Sequence, residues 1–183
     1  MTEKEKYQMD WFRLAMQYYI AARFSHYALC SPTFGNLFHH AIEMALKGYL
    51  SHGLPIGQLR KYSHKLVALW EEFTKRIADP ALKRFDQTIH ELNKFEEIRY
   101  PDSFPEGMEV IAVLGAELVE RTEDASGHYQ LHVHEVDELL VTIFEKSSVD
   151  PQKYTSRLPS VTRMYMEADN PVASKLLRPG VCE

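Results

Sequence analysis

The stretch from Tyr7 to Leu29 constrains the fold more than any other. Trp11, Leu14, Ala15, Tyr18 and Ala22 recur at helical spacing, and so do Phe12, Met16, Tyr19, Ile20, Phe24 and Tyr27. Two apolar rows on one helix demand burial on more than one side. Such a helix belongs inside a bundle. Thr2 and Glu5 stand just ahead of it at capping-box spacing, where each side chain satisfies a backbone donor of the first turn.

Helical signals continue through the first half. Ser31-Pro32 reads as a restart, with serine as cap and proline in the first turn. Phe34, Leu37, Phe38, Ala41, Ile42, Ala45, Tyr49 and Leu50 mark one face of the second helix, and Gly53 stops it. Leu54 to Tyr62, with Pro55 and Gly57, reads as a loop. Ser63 reads as the cap of a third helix through Leu66, Leu69, Trp70, Phe73 and Ile77. Asp79-Pro80 opens a fourth through Ile98, ended by Pro101. Val110 to Leu114 is then β-branched and apolar, Glu123 to Gly127 is a turn signal, and His128 to Glu135 alternates with period two. These features predict a β-hairpin. Helical spacing returns from Val136 to Glu145.

The sequence therefore predicts a mainly α protein. It is an up-and-down antiparallel bundle of four to five helices with an inserted β-hairpin and a loop-rich C-terminal tail. Residues 1–149 form the bundle, with the hairpin at about 108–134, and residues 150–183 form a tail docking on it. The 183 residues suit one domain. No apolar run approaches the ~20 residues of a membrane-spanning helix, and the opening residues lack a secretory core. Cys30 and Cys182 are too few for a disulfide framework. A cytoplasmic protein without membrane contact is expected. A net charge of -5 argues against broad electrostatic capture of nucleic acid.

The run Leu37-Phe38-His39-His40-Ala41-Ile42-Glu43-Met44-Ala45-Leu46-Lys47-Gly48-Tyr49-Leu50 resembles the second helix of HEPN (higher eukaryote and prokaryote nucleotide-binding) domains. Tyr62-Ser63-His64-Lys65-Leu66 is similar to the start of that family's next helix. Arg99-Tyr100-Pro101-Asp102 resembles an element found after the third core helix in one branch. The three occur in family order across roughly residues 7 to 104. The resemblance implies a helical bundle that pairs into homodimers and binds a nucleotide, RNA or another phosphate-bearing ligand. It also implies a place in a toxin–antitoxin or defence system, with a nucleotidyltransferase-type partner protein. Many members are ribonucleases carrying Arg, four to six residues, then His. Arg99 is followed by no such histidine, so the implied module is non-catalytic. An RNA-cleaving toxin with a degenerate motif and a protein-interaction adaptor are the alternatives.

Four residues are the candidate ligand contacts. Arg99 can grip phosphate as a fork, or it can pair with Glu96, Glu97 or Asp102 at a helix end. Tyr100 can stack on a base or pack. Lys47 stands four residues after Glu43, the spacing of an exposed ion pair, with a phosphate contact as the alternative. His64, at a predicted helix start, can face ligand or bond a backbone group. His40 lies one turn before Glu43 and can contact it, whereas His39 and His40 point different ways and make no chelate. His128, His132 and His134 share one strand face and are the weak metal candidates; alternation otherwise turns them to water. No cofactor motif is present, and neither a phosphate loop nor a nucleophile elbow occurs.

Overall fold

The computed structural model describes residues 2–113 and 127–178. Its helices are α1 (Glu3–Tyr27), α2 (Thr33–Leu50), α3 (Ile56–Lys61), α4 (Leu66–Ile77), α5 (Asp86–Lys94), α6 (Val133–Lys146), α7 (Ser160–Glu167) and α8 (Ala173–Leu176). Strands β1 (Glu109–Val113) and β2 (His128–His132) lie between α5 and α6. The chain is a helical bundle with two inserted strands.

Helix α1 begins at the expected capping box. The Thr2 backbone N–H donates to Glu5 at 2.7 Å, and the Glu5 N–H donates to the Thr2 hydroxyl at 3.2 Å. The helix then runs antiparallel to α2. Phe12 packs on Gly48, Tyr19 on Phe38, and His26 on Phe34. Against α6 it is antiparallel as well, with Phe12 on Phe144 and Tyr19 bonded to Asp137. Phe12, Ala15, Met16, Tyr19 and Ala22 are buried, while Tyr7, Leu14 and Phe24 remain exposed. The two apolar rows thus share one broad buried face and leave a few apolar side chains outside.

Helix α2 sits at the centre, buried along nearly its whole length. It packs on α1, α4, α5 and α6. Gly35 lies directly under the Phe95 ring and Gly48 under Phe12, so both glycines allow close approach of an aromatic ring. Trp70 of α4 stacks on Phe73 and donates its indole N–H to Asp86 at 2.7 Å, which ties α4 to α5.

Several boundaries depart from expectation. Pro32, not Ser31, occupies the cap position of α2, without a side-chain bond. The segment expected as a loop contains α3, which starts after Pro55 and buries Leu59. Ser63 does not cap α4, which begins at Leu66. Asp79 caps as expected, accepting from the Ala81 N–H at 3.0 Å. The turn it caps, Pro80–Phe85, is a 3-10 helix ahead of α5. Helix α5 ends at Lys94, and Phe95 and Ile98 are buried beyond it.

The strands form no hairpin. They pair parallel, Glu109 opposite His128 and Val113 opposite His132. Parallel neighbours need a crossover rather than a tight turn. The expected turn residues 123–126 lie outside the described residues, as does Cys182. Parallel strands are buried on both faces, and β2 follows this: Gln130 and His132 are buried together with Tyr129 and Leu131. His132 is therefore turned away from water, while the His128 side chain stays partly exposed. Helix α6 starts at Val133, three residues early, so His134 belongs to a helical turn.

The chain after α6 lies against α1. Arg23, fully buried, donates to Asp137 at 2.7 Å and to the carbonyls of Tyr165 and Ala168. Tyr19 donates to the other Asp137 oxygen at 2.6 Å and accepts from Asn170. Burial pushes the Asp137 carboxyl up to about 6 against the pull of Arg23 and Tyr19. Met166 and Leu176 complete the seal.

A Cβ at position 35 would overlap the Phe95 ring. Gly35→Ala is expected to destabilise the fold by about 1–3 kcal/mol through overpacking. Chemical denaturation would register this as a lower midpoint at unchanged slope.

Candidate functional site

The Glu43 carboxylate is the centre of the site. It lies on α2 and is completely buried. A buried carboxylate must be paired and hydrogen-bonded. His40 Nδ1 donates to Oε2 at 3.2 Å, His64 Nδ1 to the same oxygen at 3.1 Å, and Lys47 Nζ to Oε1 at 2.5 Å. Burial alone would raise the Glu43 carboxyl, but these donors outweigh it and hold it at about 2.

Each donor is placed by its own element. His40 and Lys47 flank Glu43 at i−3 and i+4 on α2. His64 comes from the turn between α3 and α4. In that turn Ser63 adopts a left-handed conformation, φ +47°, and offers its carbonyl to Lys47 at 2.8 Å. Lys47 also lies 5.7 Å from the Trp11 ring centroid, within cation–π range. Exposed-pair spacing thus corresponds here to a buried pair: Lys47 is 6% exposed and enclosed by Glu43, Ser63 and Trp11. It does not present its ammonium at the surface.

Arg99 closes the outer side. Its Nη1 donates to Glu96 Oε1 at 2.9 Å, the expected helix-end pairing. Its Nη2 stands 3.5 Å from His40 Nε2. Because His40 gives its Nδ1 proton to Glu43, neutral His40 turns a lone pair toward Arg99. Sequence spacing gave no sign of this approach, since 59 residues separate the two. Tyr18 packs its ring 5.4 Å from His40. Tyr100 is adjacent to Arg99 and 62% exposed.

His39 is the residue sequence reasoning missed. It is 1% exposed. Its Nδ1 donates to the Leu92 carbonyl at 3.0 Å, which fixes the proton there. Nε2 then carries a lone pair, 3.8 Å from Glu43 Oε2 and 3.9 Å from Glu96 Oε2. Neither His39 Nε2 nor Glu96 Oε2 has a hydrogen-bond partner. Burial lowers the His39 pKa below its ordinary 6.5, outweighing the Leu92 carbonyl and the carboxylates. His39 and His40 do point in different directions, with rings perpendicular and 5.5 Å apart. Both nonetheless reach the Glu43 carboxylate.

Of the three candidate strand histidines, two come together. The rings of His132 and His134 lie 5.8 Å apart, beside Glu135. His128 instead faces Glu109, its Nδ1 3.3 Å from the carboxylate. The shared strand face does not exist, because His134 has left the strand. His90 lines a groove of about 580 Å³ with Trp70 and Asp86, away from Glu43. Among the described residues no helix is long and apolar enough to cross a membrane.

No family model, curated protein or solved structure matches the chain.

Glu43→Gln leaves Lys47 buried without its counter-charge. A loss of about 3–5 kcal/mol is expected, as for a buried pair deprived of one partner. The Glu43 carboxyl is depressed in the folded chain, so its contribution is present above about 4.5 and lost as pH falls toward about 2. Thermal unfolding across that window should show a steeper acid limb in the wild type than in Glu43→Gln.

Proposed function

We propose that the chain is a HEPN-like binding and dimerisation module that takes a phosphate-bearing ligand, a nucleotide or an RNA phosphate, at Arg99. The observation that carries this reading is the convergence of Arg99, His40 and His64 from three separate segments beside one buried carboxylate. Arg99 offers a planar fork of donors matched to phosphate oxygens. Its side chain is one-third exposed and that of His64 two-fifths, so both can meet a ligand from solvent. Tyr100 stands beside them as a stacking surface. Lys47 contributes from behind, by holding Glu43 in place. The exposed apolar residues Tyr7, Leu14 and Phe24 of α1 support pairing with a second copy.

Thermal unfolding against a panel of nucleotides and short RNAs tests the reading. A ligand at a hundredfold excess over Kd stabilises the fold by about 2.7 kcal/mol, a rise of ~2–4 °C per kcal/mol for a chain this size. The rise should vanish in Arg99→Ala. No rise with any phosphate-bearing ligand would refute it and favour the adaptor reading.

One observation favours a second reading. His40 Nε2 faces Arg99, so helix α2 supplies the histidine that no residue after Arg99 provides. A base beside an arginine is the pairing that cleavage at a ribose 2′-hydroxyl requires. Under this reading the chain cleaves RNA as a toxin. His40→Ala should then abolish cleavage while nucleotide binding persists.

A further inference from the structure

We propose that His39, His40 and Glu43 hold a divalent transition-metal ion of the zinc class at the inner side of the cluster. This goes beyond the phosphate reading and does not rest on it.

Three features of the geometry carry the inference. The first is His39 itself. A fully buried imidazole normally satisfies both nitrogens. Here Nδ1 is committed to the Leu92 carbonyl, and Nε2 turns an unpartnered lone pair toward two carboxylates. A lone pair facing anionic oxygens is repelled unless a cation lies between them. A backbone carbonyl that fixes the far nitrogen is also the usual second partner of a metal-bound histidine.

The second feature is spacing. The ligating atoms of His39, His40 and Glu43 lie within 4.8 Å of one another. Glu43 Oε2 is 3.2 Å from His40 Nδ1 and 3.8 Å from His39 Nε2. Both spans can be bridged by one ion with bonds of about 2.0–2.2 Å. Two imidazoles and one carboxylate are a donor set that suits zinc and accepts cobalt.

The third feature is charge. Lys47 already neutralises the far oxygen of Glu43. Glu96 faces the same space, its Oε2 3.9 Å from His39 Nε2 without a hydrogen-bond partner, while its Oε1 is paired with Arg99. With metal on Nδ1, His40 keeps its proton on Nε2, and the 3.5 Å approach of Arg99 opens. Arg99 then retains Glu96 and turns its remaining donors outward. The other metal-capable group, His132, His134 and Glu135, is committed otherwise, because Gln130 contacts His132 and Thr88 donates to Glu135.

The test uses the full untagged chain, stripped by chelator and titrated with Co²⁺ alone. Saturable visible d–d absorption at about one Co²⁺ per chain is expected. Zn²⁺ should displace it. The absorption should be lost in His39→Ala and in His40→Gln, and kept in His134→Ala. The His40 ring lies at the partly exposed edge of the cluster, so His40→Gln reports on the site even if His39→Ala fails to fold; circular dichroism separates the two cases. Folded wild-type protein that gives no saturable absorption overturns the proposal. Absorption that survives in folded His40→Gln, or disappears only in His134→Ala, overturns it as well. Phosphate binding is read separately by thermal shift, so either proposal can fail without the other.

Discussion

The fold is organised around a carboxylate taken out of water. Leaving Glu43 ionised in the interior costs several kcal/mol unless donors surround it. The chain meets this demand with donors from two places. His40 and Lys47 come from the same helix, and His64 comes from a turn, 21 residues beyond Glu43. Once His64 and the Ser63 carbonyl are bound to Glu43 and Lys47, the turn before α4 has one position available. The α2–α4 arrangement is thereby tied to a polar contact as well as to the packing of Phe73 and Leu69.

Helix α1 connects this centre to a second one. Trp11 and Tyr18, seven residues apart, look toward Lys47 and His40. Tyr19 and Arg23, four apart, look toward Asp137. Two buried carboxylates are therefore served from two sides of one helix. The Arg23–Asp137 pair reaches further, because the same guanidinium holds the Tyr165 and Ala168 carbonyls. That makes the docking of α7 a consequence of burying Arg23. A hydrophobic residue at position 23 could fill the volume, but it could not satisfy those carbonyls.

Helical periodicity made α1, α2, α4 and α6 legible in the sequence, because their large apolar residues recur at helical spacing. The capping box at Thr2 was legible for the same local reason. The pairing of the strands was not. A period-two pattern assigns a face only where one face is solvated, and β2 is buried on both. Nor could sequence reveal that Glu43 is internal. Its i,i+4 partner Lys47 gives the same spacing whether the pair is solvated or enclosed, and only the tertiary placement of Trp11 and Ser63 decides between them. The Arg99–Glu96 contact was visible as a local pairing. The Arg99–His40 contact was not, because it depends on how the segment after α5 folds back over α2. His39 is the clearest case: its significance lies in a bond to Leu92, which no spacing rule connects to it.

Lys47 and Arg99 carry the same charge at the same cluster, yet Lys47 is 6% exposed and the Arg99 side chain one-third exposed. Lys47 spends two of its three donors on Glu43 and Ser63 and rests against an indole face. Its charge is consumed locally, and removing it would expose Glu43 rather than empty a binding surface. Arg99 gives one nitrogen to Glu96 and leaves another near a histidine lone pair at a distance that binds weakly. A guanidinium has five N–H donors in one plane, and the Arg99 side chain is one-third exposed. The lysine keeps the carboxylate ionised, the carboxylate holds the histidines in one tautomer, and the histidines set what Arg99 faces. The different settings of the two cations at this cluster follow from donor geometry and burial, not from charge.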